Sequence, residues 1–171
     1  MDAAQNLNVE QDLITAEGTD QFLTFMLAGE EYGVDILRVQ EIKGWDAVTN
    51  IPNTPEYIRG VINLRGTIVP IVDLRLRFNM DKMEYGPTTV VIVLKVKSDE
   101  KSRIMGIVVD GVSDVYNIPS EEIREAPDFG SGIDTDFVMG LASVEEKMVI
   151  LLDIDHMLNA AELAGIDEAT E

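Results

Sequence analysis

Gly60-Val61-Ile62-Asn63-Leu64-Arg65-Gly66-Thr67-Ile68-Val69-Pro70-Ile71-Val72-Asp73-Leu74 aligns without a gap, 80 positions on, with Gly140-Leu141-Ala142-Ser143-Val144-Glu145-Glu146-Lys147-Met148-Val149-Ile150-Leu151-Leu152-Asp153-Ile154. Glycine, apolar pattern and aspartate coincide, and each copy reads as a glycine-bounded strand, a tight turn and a second strand. Asn50-Ile51-Pro52 recurs as Asn117-Ile118-Pro119, and Gly33-Val34-Asp35-Ile36 has a looser echo in Gly106-Ile107-Val108-Val109-Asp110. These landmarks predict a duplicated β module of roughly 70 residues, near the lower size limit for a lone core, so the two halves should share buried apolar surface. A single sandwich with accidental internal similarity is the alternative.

Outward from the repeat, short runs rich in Val and Ile lie between Gly, Pro and Asn at Gln21–Leu27, Tyr32–Ile36, Val39–Ile42, Thr88–Val96 and Ile104–Val109. Their spacing predicts a mostly β core. Thr54–Gly60, with a capping hydroxyl, Pro at the first helical position and a closing Gly, predicts a short helix. Ile154, Met157, Leu158 and Ala161 recur on one helical face and predict a C-terminal helix. Residues 1–20 carry five acids and no base, and residues 160–171 four acids and no base. The expected division is a flexible acidic tail at 1–20, two interleaved β halves over 21–158, and a helix end with an acidic tail at 159–171.

The 171 residues hold 13 Lys+Arg and 32 Asp+Glu, a formal charge of −19. Such a surface repels phosphate backbones and argues against nucleic acid as a partner. Residues 59–103 differ, with nine bases against five acids. Cysteine is absent and His156 is the single histidine, so thiolate chemistry, Cys-ligated metals and multi-histidine sites are unavailable within one chain. No signal-peptide pattern and no long apolar span appear, which predicts a cytoplasmic protein without membrane insertion.

Arg65, alone between two apolar runs, suits bidentate recognition of a carboxylate; it can equally pair internally with Asp73 or another acid. The second copy carries Glu145 at that place, so the hairpin does not require arginine. Gly29–Gly33 reads as a charged hairpin turn, lacking calcium-loop spacing. Asp153 and Asp155 suit a helix start, and Asp110–Asp114 reads as a turn. Trp45 is expected in a core, whereas Phe129 either folds back on the core or anchors another protein. No nucleophile beside a base, phosphate loop or framed carboxylate pair is present. An enzyme using Asp73, Asp110 or Asp153 would need two acids in one pocket with their pKa values pushed apart.

Gly29–Leu37 (GEEYGVDIL), Val39–Ile42 (VQEI), Gly60–Leu74 with its NLRG and VPIVDL, and Gly106–Val115 (GIVVDGVSDV) together resemble the CheW family of bacterial chemotaxis coupling proteins. The resemblance covers roughly residues 20–160. It implies two five-stranded Src-homology-3-like β-barrels packed together, with short helices and a C-terminal helix. It also implies a non-enzymatic adaptor without cofactor or metal, linking the cytoplasmic tips of transmembrane chemoreceptors to the regulatory domain of the histidine kinase CheA in arrays. Positions matching the family's receptor contact are Ile36, Val39, Glu41, Arg65 and Gly106. Those matching its kinase contacts, which also join copies into rings, are Val48 and Ile51 on one barrel and Arg124, Asp128 and Phe129 on the other. A CheW-like scaffold in another two-component or motility pathway is the alternative. Lys95–Arg103 (KVKSDEKSR) is a longer and more charged connection than the fold requires.

Overall fold

The computed structural model describes residues 19–98, 101–125 and 137–158. Ten strands run in chain order as β1 (Thr19–Leu27), β2 (Glu30–Asp35), β3 (Val39–Gly44), β4 (Ile58–Leu64), β5 (Thr67–Asp73), β6 (Val90–Ser98), β7 (Lys101–Val109), β8 (Gly111–Pro119), β9 (Val138–Val144) and β10 (Lys147–Leu152). A 3₁₀ turn spans Ile36–Arg38, and two short helices, α1 (Leu74–Arg77) and α2 (Ile154–Leu158), follow β5 and β10. The expected tails lie outside the described residues, apart from Thr19 and Asp20, which open β1; Ala161 lies outside them too.

The strands form two five-stranded sheets, one ordered β8-β1-β2-β10-β9 and the other β3-β6-β7-β5-β4. The second, sheet B, is one continuous stretch of chain. Sheet A is assembled around it from the first two and the last three strands. The 80-residue repeat is exact in three dimensions: Leu64 pairs with Thr67 and Gly60 with Ile71, as Val144 pairs with Lys147 and Gly140 with Leu151. Both hairpins turn on two positive-φ residues, Arg65-Gly66 in sheet B and Glu145-Glu146 in sheet A, the backbone that two-residue hairpin loops require.

Parallel pairing joins each hairpin to a second one through a glycine. Leu151 lies opposite Gly33, and Ile71 opposite Gly106. A Cβ on Gly33 would sit 2.9 Å from Leu151 Cδ2, and one on Gly106 would sit 2.8 Å from both Ile71 Cδ1 and Val91 Cγ1. The echo between Gly33 and Gly106 therefore marks equivalent packing points. The echo between Asn50-Ile51-Pro52 and Asn117-Ile118-Pro119 does not. Asn117–Pro119 lies within β8 on the β1 ladder, whereas Asn50–Pro52 follows an isolated bridge from Thr49 to Val61. The counterpart of Thr49 is Arg124, which bridges Leu141.

Three apolar cores result. Phe22, Ile118, Ala142, Val149 and Leu151 fill one side of sheet A, and Val69, Ile71, Val91, Val93 and Val108 one side of sheet B. Between the sheets, Leu23, Phe25, Leu27 and Val34 meet Ile92, Leu94, Val96, Met105 and Ile107, with Met157 and Leu158 of α2. A strand packed on both faces needs apolar residues at every position. That accounts for the unbroken Val90–Leu94 run, whose even positions face the shared core and whose odd positions face that of sheet B.

Two expectations need correction. Thr54–Gly60 is no helix: a turn leads into β4, with Ile58 N–H on the Pro55 carbonyl at 3.0 Å and the Tyr57 carbonyl taken by Asp73 N–H at 2.7 Å. The Thr54 hydroxyl, the supposed cap, bonds the Ile51 carbonyl at 3.0 Å. Gly111–Asp114 is strand, not turn. Its backbone is held by the β1 ladder, and the Asp114 N–H donates to the Thr24 hydroxyl at 3.1 Å.

Candidate functional site

The 3₁₀ turn after β2 exists because Asp35 caps it, its Oδ1 accepting from Leu37 N–H at 2.9 Å. Ile36 opens the turn and Val39 follows it, both half-buried against the shared core. Leu37 between them is 71% exposed, and Ile42 further along is exposed as well. Arg38 anchors the turn from beneath. Its Nη1 and Nη2 donate to Asp155 Oδ1 and Oδ2 at 2.7 and 2.6 Å, and Nη1 also reaches the Lys95 carbonyl at 3.0 Å. Burial opposes ionisation of Asp155, but the bonds from Arg38 and from Lys97 N–H outweigh it and hold the carboxyl below its ordinary range.

Glu41 on β3 receives Arg65, whose Nη2 donates to Glu41 Oε1 across the sheet-B hairpin tip. The sequence left Asp73 or another acid open as partner; the acid is Glu41. Asp73 instead accepts from the Tyr85 hydroxyl and from Leu76 N–H, which starts α1. Arg65 is 76% exposed and Glu41 only 25%, so the pair presents a guanidinium outward with donors to spare. Gly106 is buried beneath this region with Ile71 and Val91 filling its side-chain space.

Val48 packs on the sheet-B core and Ile51 is half-buried after it. Exposed Arg124 exchanges backbone bonds of 2.8 Å with Leu141. Because Thr49 and Arg124 bridge equivalent strands, Val48 beside the one and Arg124 itself stand at equivalent corners of the two sheets. Asp128 and Phe129 lie outside the described residues. Trp45 packs on the sheet-B core with its ring 4.2 Å from that of Tyr85, as expected of a core residue.

The acids considered for catalysis are engaged structurally. Asp153 Oδ1 accepts from His156 N–H at 3.0 Å at the start of α2, and exposed His156 lies against the Phe137 ring. Asp73 and Asp110 line one cavity of about 10 Å³, room for a single water. Asp110 is held bidentately by Arg75, at 2.8 and 2.6 Å, and accepts from Ala28 N–H at 2.9 Å. The bond from Arg75 chiefly holds its carboxyl below the ordinary range, against burial. A carboxyl whose pKa is lower folded than unfolded stabilises the fold above the unfolded value and loses that contribution as pH falls through the folded one. Asp110→Asn should therefore cost about 1 kcal/mol at neutral pH and flatten the loss of stability below about pH 4. Urea melts across that range would show it, and parallel acid limbs for both proteins would contradict it.

The fold of this chain is shared with solved proteins and its sequence with a known family. A family model described as the CheW-like domain matches residues 21–162. The chain belongs to the CheW family. It is 50% identical over 151 residues to the chemotaxis protein CheW of Klebsiella aerogenes, covering 88% of this chain and 89% of that one. It is 36% identical over 145 residues to the CheW of Rhizobium meliloti, covering 85% and 91%. The crystal structure of the scaffolding protein TtCheW from Thermoanaerobacter tengcongensis superposes with a TM-score of 0.74 at 34% identity, over 84% of this chain and 90% of that one. CheW proteins are chemotaxis scaffolds, not enzymes, in keeping with carboxylates committed to caps and ion pairs. Among the described residues no helix is long and apolar enough to cross a membrane.

Proposed function

We propose that this chain couples chemoreceptors to the histidine kinase CheA, docking a receptor's helical tip on one surface and the kinase's regulatory domain on two others. The observation that carries the reading is the outward Arg65–Glu41 pair, with the half-buried Ile36 and Val39 and exposed Leu37 on the neighbouring turn. An apolar strip with a charged pair at its edge suits a helix laid along it, the charge fixing register. Gly106 supports this surface through packing. Val48 and Ile51 at one corner, and Arg124 at the other, serve kinase contacts and the joining of copies into rings, a role shared by Asp128 and Phe129. The protein works in the cytoplasm, recruited to membrane-associated receptor arrays, and transmits state through contacts without chemistry of its own.

Co-sedimentation with receptor-bearing membranes and CheA tests this, with kinase autophosphorylation read in the pellet. Recruitment and activation that depend on this protein are expected; neither, with folded protein and several kinases tried, would move the scaffold to another two-component or motility pathway. Phe129→Ser should impair ring assembly at least about fivefold more than receptor binding, as loss of an aromatic interface anchor does. Equal losses in the two assays would count against that contact.

A further inference from the structure

The sheets are equivalent over more than the hairpin repeat. Residues 33–44 and 106–117 correspond without a gap: Ile42 pairs with Ile92 as Val115 pairs with Leu23, and Lys43 pairs with Val91 as Tyr116 pairs with Phe22. A bulge stands just before each set, between Val39 and Glu41 in one ladder and between Leu23 and Phe25 in the other. Extended one turn of the register, Glu31 on β2 corresponds to Ile104 on β7. The counterparts of Glu41 and Arg65 are then Asp114 and Glu145.

Chemistry at the two places differs. In sheet B, Glu41, Arg65, Lys43 and the apolar Ile104 leave one net positive charge. In sheet A, Asp114, Glu145, Tyr116 and Glu31 leave three negative ones. Tyr116 lies within the field of these acids. Its hydroxyl lies 3.4 Å from Glu145 Oε2, and its pKa is raised by burial first and then by the charges of Glu145, Glu31 and Asp114. Glu31 is only 6% exposed, on the face of β2 that its partner Val149 turns into the sheet-A core, and its Oε2 is buried without a hydrogen-bond partner. Leaving a buried carboxylate oxygen unpaired is costly. Among the described residues no ion pair reaches Glu31, Asp114 or Glu145, and Lys147 beside them forms none. No three acids among those residues are set to ligate a metal ion.

We propose that the notch formed by Glu31, Asp114, Tyr116 and Glu145 takes an arginine side chain from a protein partner, filling on sheet A the place Arg65 fills on sheet B. A planar guanidinium can bond two carboxylates at once while its face lies against the tyrosine ring, which an ammonium does less well. The partner is thus a protein segment presenting arginine, met on a different surface from the one assigned to the receptor tip.

The test is a titration of the ¹⁵N-labelled full chain at low salt with the peptide acetyl-Gly-Gly-Arg-Gly-Gly-amide, and with its uncharged citrulline counterpart. Saturable shifts are expected at the amides of Glu31, Asp114, Val115, Tyr116 and Glu145, with a dissociation constant of about 1 mM, near 4 kcal/mol. The citrulline peptide should bind at least about tenfold more weakly, since it lacks the charge. Glu145→Arg supplies an internal guanidinium and should weaken binding about tenfold while raising the melting temperature. Glu31→Gln, which preserves shape, should weaken it about fivefold. Arg65→Glu should leave this binding unchanged. Shifts spread evenly over the acidic surface, equal binding of the two peptides, or undiminished binding by both folded notch variants would overturn the proposal.

Discussion

Gly60→Ala is expected to destabilise the protein by about 3–5 kcal/mol, the largest loss from an added methyl at any of the described glycines. Two independent costs meet there. Gly60 has φ +139°, a conformation that side-chain-bearing residues rarely adopt, and its Cβ would lie 2.2 Å from the Thr49 carbonyl oxygen. That oxygen cannot move away freely, because it accepts from Val61 N–H at 2.8 Å while Thr49 N–H donates to the Val61 carbonyl at 2.9 Å. At its counterpart Gly140, a Cβ would lie 2.6 Å from Ile123 Cγ2 and 2.8 Å from the Arg124 carbonyl, but without a left-handed backbone. Gly140→Ala should cost about 1–3 kcal/mol, within the range for overpacking. Gly29, at φ +83° with open space around it, isolates the conformational term, and Gly29→Ala should cost about 1 kcal/mol. The expected order in thermal or urea melts is Gly60, Gly140, Gly29. Equal losses at Gly60 and Gly29 would show that the bridge yields and that conformation alone sets the cost.

The same glycines explain why the fold was legible in the sequence. A glycine forced by a close backbone approach persists while the residues around it change, and so the alignment of Gly60–Leu74 with Gly140–Ile154 translated into identical strand register. Matching residues 33–44 to 106–117 was harder. Only Gly33 and Gly106 share a constraint, and charged Glu41 and Lys43 face Asp114 and Tyr116 across the pseudo-repeat. β8 was hidden for a related reason: its Gly111–Asn117 face is largely solvent-exposed, so its Ser, Asp and Asn imitate turn chemistry while β1 supplies the ladder. The Thr54–Gly60 helix failed because its helical end residues, Tyr57 and Ile58, were claimed by β5, a long-range pairing that no local pattern announces. The site was legible as candidate residues but not as contacts. Arg65 advertised a carboxylate partner, yet the choice of Glu41 over Asp73 depended on β3 crossing beside the hairpin tip. Leu37 passed unnoticed because its exposure follows from the Asp35-capped turn.

Arg65→Glu should reduce receptor-dependent kinase activation at least about tenfold while changing stability by no more than about 1 kcal/mol, the usual worth of an exposed ion pair. The small stability cost follows from sheet A, where Asp114 and Glu145 occupy the equivalent positions and the strands keep the same register. The large functional cost follows from the exposed guanidinium, which bonds Glu41 through one nitrogen and keeps its remaining donors directed at whatever docks. Reversing charge there removes those donors and adds repulsion toward an acidic or carbonyl-bearing contact. The exchanged pair, Glu41→Arg with Arg65→Glu, separates the two roles. It should restore the melting temperature of the parent protein without restoring activation, because the outward group is then a carboxylate. An Arg65→Glu protein that unfolds would make Arg65 a structural residue, and full activation by the exchanged pair would mean that the ion pair positions the hairpin and makes no contact with the receptor.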